Sequence, residues 1–259
     1  MKIISYNVNG IRAAIKKGLV DWIKASEVDV LCIQETKAHQ EQVDLTEIEA
    51  LGYHTYWQSA TVRKGYSGVA IFSKIEPNNV VYGYGDYEWH DTKWVDDEGR
   101  IIRADYDDFS VMSVYMPSGT REERVVFKME WNLAFQKYIG ELQKSQPHLV
   151  ICGDYNIAHE PIDIHNPKSN AKRSGFLPIE RAWLTEFMEL GFTDTFRYLN
   201  KEPHNYTWWN VRSGARAKNL GWRIDYQMIS ESLNEKLQRA VILSDAMHSD
   251  HCPILIDIE

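Results

Sequence analysis

The 259-residue chain carries a formal net charge of −8, from 29 Lys and Arg against 37 Asp and Glu. Its length is ample for one large core, and no apolar run approaches the roughly 18 residues that a membrane span requires. A membrane-spanning helix is therefore not expected, and with no secretion signal visible an intracellular, cytoplasmic, monomeric protein of one domain over residues 1–259 is expected. The charge argues against a nucleic-acid partner unless the cations are gathered in patches and the acids in a site.

In chain order, Ile3-Ile-Ser-Tyr-Asn-Val-Asn-Gly10 reads as a strand with Asn7 and Asn9 at its end. A helix over residues 11–26 follows from the spacing of Ile11, Ile15, Leu19, Trp22 and Ile23. Val28-Asp-Val-Leu-Cys-Ile-Gln-Glu35 is then a buried strand closing on an acid, and Gly68-Val-Ala-Ile-Phe-Ser73 is another strand. Tyr82 to Trp94 reads as a loop rich in aromatics and acids, and Gly99 to Asp105 as one arm of a hairpin with Phe109 to Tyr115. After Tyr115, a helix over about residues 121–144 leads to the strand Leu149-Val-Ile-Cys152, which Gly153 is expected to end. Asp154 and Asn156 come next, two apart, and in extended backbone would leave on the same side. A strand–helix–strand unit thus occurs twice, each time delivering a polar residue and then an acid at strand ends. This internal pseudo-repeat predicts an α/β fold of two similar sheets packed face to face, with a cleft where the strand ends converge.

The remaining chain adds cations and a second set of acids. Pro161 to Pro178 is a polar loop with Asn166, Lys168, Asn170, Lys172 and Arg173, and a helix runs from about Ile179 to Leu190. Tyr206 to Arg223 contains Arg212, Arg216, Lys218 and Arg223, three tryptophans and no acid. Aromatics interleaved with cations suit a surface that stacks on sugars or bases while the cations meet phosphates. Ile224 to Ser230 is a strand carrying Asp225, and Ser249-Asp-His-Cys-Pro253 precedes the strand Ile254 to Ile258. Cys32, Cys152 and Cys252 sit in or beside apolar strands and read as core residues in a reducing compartment.

Glu35, Asp154, Asp225 and Asp250, with Asn7, Asn156 and His251, all fall at or beside strand ends. Any single one could cap a turn, and Gly-Asp-x-Asn is good turn chemistry. As a group they form an oxygen-rich set suited to Mg²⁺ or Mn²⁺, with Asp225 able to orient His251 and stabilise its charged form. No Cys/His set has zinc spacing.

Five blocks carry a more specific resemblance: Asn7-Val-Asn-Gly-Ile-Arg-Ala13, Gln34-Glu-Thr-Lys37, Gly153-Asp-Tyr-Asn-Ile-Ala-His159, Gly221-Trp-Arg-Ile-Asp-Tyr226 and Ser249-Asp-His251. In this order, and over essentially the whole chain, they resemble the exonuclease III family of abasic-site (AP) endonucleases. The block around Trp222 separates the chain from DNase I-like relatives, inositol polyphosphate phosphatases and sphingomyelinases. The resemblance implies a four-layer αββα sandwich of two mixed sheets. It implies Glu35 as principal metal ligand, with Asn7 and Asp250 near the ion and Asp154, Asn156 and His251 bordering it. Asp154 would activate the attacking water, Asn156 would hold it, and His251, supported by Asp225, would meet the phosphate together with Tyr115. Trp208, Trp222 and Ile224 would receive a base-free sugar, while Asn9, Asn170, Arg173, Arg121 and Arg212 would lie along the DNA. The implied substrate is double-stranded DNA with abasic sites or blocked 3′ ends, cut 5′ to the lesion, with added 3′-phosphodiesterase and 3′→5′ exonuclease activity.

This chain departs from several relatives at Ser118-Gly-Thr-Arg121, where they read Asn-Ala-Gly-Arg, and at Arg212, where some place an apolar wedge. Those departures leave the balance of activities open. Two other readings stand beside this one: a phosphodiesterase or phosphatase of the same fold acting on RNA or lipid head groups, and a non-catalytic DNA-binding module. The second would be expected to lack some of Glu35, Asp154, Asn156 or His251, and none is missing.

Overall fold

A computed structural model describes residues 1–88 and 96–259, so the expected aromatic loop from Tyr82 to Trp94 lies partly outside the described residues. In chain order the first strands are β1 (Lys2–Asn7), β2 (Val30–Gln34), β3 (His54–Gln58), β4 (Val69–Ser73), β5 (Asn79–Tyr82) and β6 (Ile101–Asp105). The rest are β7 (Ser110–Tyr115), β8 (Leu149–Asp154), β9 (Phe192–Asp194), β10 (Asp225–Ser230), β11 (Leu237–Ile242) and β12 (Ile254–Ile258). The helices are α1 (Ile11–Lys16), α2 (Leu19–Ser26), α3 (Thr46–Ala50), α4 (Glu122–Leu142), α5 (Pro167–Asn170), α6 (Pro178–Met188) and α7 (Thr195–Leu199). The single helix expected over residues 11–26 is two, because Gly18 takes a φ of 90° between α1 and α2.

Two six-stranded sheets form, in the orders β11-β12-β1-β2-β4-β3 and β5-β6-β7-β8-β10-β9. Each contains one parallel pair, β1–β2 and β7–β8, bridged by the helices between them, and the remaining pairings are antiparallel. The expected mixed-sheet sandwich with its internal repeat is therefore what the chain adopts.

Side-chain alternation builds the layers. Ile4, Tyr6, Leu31 and Ile33 pack outward with Ile11, Ala14, Leu19 and Ile23 of α1 and α2. Met112, Val114, Ile151 and Met228 pack outward with Trp131 and Phe135 of α4 and Trp183 and Phe187 of α6. The intervening residues, among them Ile3, Val30, Cys32, Val111, Val150, Cys152 and Ile229, meet between the sheets. Fully burying each such aliphatic side chain contributes about 1.5–3 kcal/mol. The three cysteines are buried and unpaired, as expected of core residues.

Gly153 does not end its strand; it lies within β8. A Cβ there would lie 2.0 Å from the carbonyl oxygen of Val114, so glycine permits β7 and β8 to approach at this point. Among the described residues, no helix is long and apolar enough to cross a membrane.

Candidate active site

The alternation that makes the inter-sheet core also delivers the site. On β7, β8 and β10, Tyr115 pairs in register with Asp154, and Asp154 with Asp225. Laterally paired residues share a face, and this one is the face turned toward the other sheet. Across the gap, Asn7 closes β1 and donates from Nδ2 to Asp154 Oδ2 and Glu35 Oε1, both at 2.9 Å. One carboxamide therefore ties the two sheets together at the cluster. Glu35 follows β2 with a φ of 53°, and its second oxygen pairs with Lys37 Nζ at 2.7 Å.

Asn156 also has a φ of 53°, so the chain is not extended between it and Asp154. Its backbone N–H donates to Asp154 Oδ1 at 2.8 Å, and its Nδ2 donates to Met116 O at 2.9 Å. A turn closed on the Asp154 carboxylate brings the two side chains together, so turn chemistry and site chemistry coexist here. Asn9 repeats the device: its N–H donates to Asn7 Oδ1 at 3.0 Å and its Nδ2 to Asp250 Oδ1 at 2.8 Å. Left-handed residues other than glycine collect where surrounding structure holds them for a purpose.

His251 Nδ1 lies 2.9 and 3.1 Å from the two oxygens of Asp225, and its Nε2 lies 3.8 Å from Asp154 Oδ2. Burial alone would strip the imidazolium of its proton, but Asp225, then Asp154 and Asp250, raise it to about 10. Burial, the Asp225 charge and the Glu35 charge push Asp154 up to about 8, against the pull of His251. Asp250 is held below the usual carboxylate range: burial opposes this, but His251 and hydrogen bonds from Asn9 and Trp208 prevail. Burial and the facing Glu35 raise the Tyr115 phenol, which keeps its proton; Arg100 lies 4.9 Å from the ring centre.

Glu35, Asp225 and Asp250, joined by Asp154 once it gives up its proton, outweigh His251 and Lys37, leaving the cluster short of positive charge. Donor atoms of Glu35, Asp154 and His251 lie within 4.8 Å of one another. That donor set fits a hard divalent cation through its carboxylates. Of the residues expected near an ion, Glu35 and Asp154 offer such oxygens. Asn7 and Asn156 present N–H donors to the cluster, and the oxygens of Asp250 accept from Asn9 and Trp208. A protonated His251 has no lone pair to give.

Beside the cluster is a cavity of about 280 Å³, lined by Trp208, Trp222, Ile224, Tyr115, Asp154 and His251 among others. The two indole rings meet edge-on at 87° with centroids 5.9 Å apart. Trp208 Nε1 donates to Asp250 Oδ2 at 3.0 Å, which joins the apolar wall to the acidic cluster. Gly175 has a φ of 94°, and a Cβ there would lie 2.7 Å from the Trp222 ring, so the wall requires glycine.

Comparison with protein families matches residues 4–251 to the Endonuclease/Exonuclease/phosphatase family. The chain belongs to that family. An exodeoxyribonuclease of Bacillus subtilis (strain 168) is 46% identical over 257 residues, covering 98% of each chain. DNA repair nuclease APEX1 of Danio rerio is 43% identical over 99% of this chain and 81% of its own. Among solved structures, an AP endonuclease from Archaeoglobus fulgidus has a TM-score of 0.89 at 30% identity, covering 100% of this chain and 99% of its own. The resemblance read from the five sequence blocks holds.

For this endonuclease/exonuclease/phosphatase chain, the residues expected along the substrate are more dispersed than the cluster. Asn170 donates from Nδ2 to His165 O and Asn166 O, at 2.9 and 3.0 Å, so it shapes its own loop. Arg173 is exposed in that loop, and Arg121 is exposed at the N-cap of α4, next to the cavity-lining Ser118, Gly119 and Thr120. Arg212 is exposed in a short turn outside the cavity. The second basic stretch is not one surface: Arg223 is 1% exposed and paired with Asp163 and Asp194 at 2.7 Å. Arg216 donates to the carbonyls of Ser249, Ser244 and Ala246, and lies 4.6 Å from the buried Trp209 ring centre. Sequence reasoning gave no role to Lys37, Ser174 or Gly175, and it marked Ser118 only as part of a loop that departs from relatives; the placement of Lys37 two residues after Glu35, inside one of the five blocks, is a signal that could have found it.

Proposed function

We propose that the chain is a metal-dependent DNA repair nuclease that hydrolyses the phosphodiester 5′ to an abasic site in duplex DNA. The products are a 3′-hydroxyl and a 5′-deoxyribose phosphate, and the same site serves 3′-phosphodiesterase and 3′→5′ exonuclease reactions. The observation that carries this reading is the junction of a carboxylate–imidazolium cluster with an apolar cavity walled by Trp208, Trp222 and Ile224. A base-free sugar leaves the duplex cheaply, since no pairing or stacking of its own must be broken. The indole walls would bind its apolar face, and the exonuclease and repair-nuclease names of the relatives agree with a DNA substrate.

In the reaction, Asp154 takes a proton from water while the Asn156 amide restrains that water. The water oxygen bonds to phosphorus, the bond from phosphorus to the upstream 3′ oxygen breaks, and its electron pair stays on that oxygen, which takes a proton from solvent water to become the 3′-hydroxyl while Asp154 returns its proton to solvent. His251, held in place by Asp225, donates to a phosphate oxygen, and the protonated Tyr115 donates to the same group. Mg²⁺ or Mn²⁺ held by Glu35 and Asp154 would supply charge neutralisation for the phosphate and for the departing oxygen.

The test is product analysis on labelled duplexes carrying an abasic site, a 3′-phosphoglycolate or an undamaged 3′ end, with and without EDTA. Incision 5′ to the lesion, lost in EDTA and restored by Mg²⁺ or Mn²⁺, is expected. Turnover of an inositol phosphate with no cleavage of the abasic duplex would assign the site to a different phosphoester.

A further inference from the structure

Lys128 of α4 and Glu180 of α6 face each other with no solvent exposure on either side chain, Nζ and Oε1 being 2.6 Å apart. Desolvating two charges offsets much of their attraction, so such a pair is understood through the hydrogen bonds it makes beyond itself. Those bonds lead to the site from behind. Lys128 Nζ donates to Asn156 O at 2.8 Å, gripping the left-handed residue whose own N–H holds Asp154. Glu180 Oε1 accepts from Ser174 Oγ at 2.9 Å, and Oε2 accepts from the N–H groups of Gly175 and Leu177 at 2.6 and 2.9 Å. The Trp222 ring occupies the space that a Cβ on Gly175 would take, and the Gly175 carbonyl accepts from Ala158 N at 2.7 Å, two residues beyond Asn156.

Resting on the function proposed above, we infer that the Lys128–Glu180 pair is a positioning device locking the Asn156 turn and the Gly175 wall into one register. Neither side chain lines the cavity, so neither touches the reacting atoms. The pair acts through two other elements at once: the turn that presents water to phosphorus, and the wall that shapes the sugar pocket. Small misplacements of such groups lower rates steeply while leaving the binding of ordinary duplex alone.

The test avoids leaving one buried charge alone, which could unfold the protein. Lys128→Met combined with Glu180→Gln removes both charges and keeps an acceptor for the loop. Amide hydrogen exchange at Asn156 and Gly175 is measured without DNA, against amides of β1 and β2 as an internal reference. Single-turnover cleavage of an abasic duplex and affinity for undamaged duplex are measured on the same samples. Exchange at both Asn156 and Gly175 is expected to quicken at least about tenfold, with β1 and β2 unchanged. Cleavage is expected to fall roughly ten- to a hundredfold at constant duplex affinity. Parental exchange at either amide overturns the coupling, as does a parental cleavage rate despite altered exchange. If the unsubstituted protein fails to cut the abasic duplex, the functional reading falls, and the exchange measurement still decides the coupling.

Discussion

In the reaction proposed above, Asp154 and His251 do opposite work across 3.8 Å. Asp154→Asn keeps shape and hydrogen bonding but cannot accept a proton, and loss of a general base costs a factor of about 10²–10⁴. Affinity for abasic duplex should hold or improve, since a carboxylate facing phosphate repels it; near-parental cutting would mean that another group activates the water. His251 must be an imidazolium to donate to phosphate, a form present below about 10 and lost above it. Its contribution should therefore be constant through neutral pH, and His251→Asn should slow single-turnover cleavage across that whole range with little change in affinity. The identities of these residues were legible in the sequence because polar groups interrupt apolar strands at corresponding places. The orientation of the Asn7 and Asn156 amides was not, because it depends on partners 147 and 40 residues away, Asp154 and Met116.

Elements were legible in proportion to their burial. The interior strands β2, β4, β7 and β8 are buried throughout and read as β-branched runs. The strands not read were β3, β5, β9 and β11, which are the two edges of each sheet. An edge strand such as His54-Thr-Tyr-Trp-Gln58 is half covered and carries neither a continuous apolar run nor clean alternation. Gly153 was misjudged for the converse reason: its role is set by a neighbouring strand's carbonyl, which local reading does not see. Gly153→Ala should therefore destabilise the fold by about 1–3 kcal/mol or more through forced separation of β7 and β8. Urea unfolding measures this, and an unchanged midpoint would show that β8 yields without cost.

Over the whole molecule, a net charge of −8 coexists with a proposed DNA substrate because Lys168, Lys172 and Arg173 stand exposed together on and just after α5. The cations of 212–223 divide, and Arg216 and Arg223 hold the fold together. Lys172→Ala with Arg173→Ala should flatten the log–log salt dependence of duplex binding by roughly 0.9 for each phosphate left without its cation. An unchanged slope would put the DNA elsewhere. The same substitutions in Arg216 or Arg223 should instead lower the melting temperature.

The strand orders also bear on how the chain assembles in time. One sheet is a continuous stretch, β5 to β10, whereas the other is split, β1 to β4 waiting for β11 and β12. Ile258 N donates to Met1 O at 3.0 Å, so the two ends of the chain are neighbours. Joining them by a short Gly-Ser linker and reopening the backbone at the exposed Glu76 would make both sheets continuous in sequence. Such a circular permutant should refold faster than the parent, because the long wait for the β1–β12 pairing becomes a short loop closure. Stopped-flow refolding of the two chains gives the comparison. Equal rates would mean that the continuous sheet, not the split one, governs the passage to the native state.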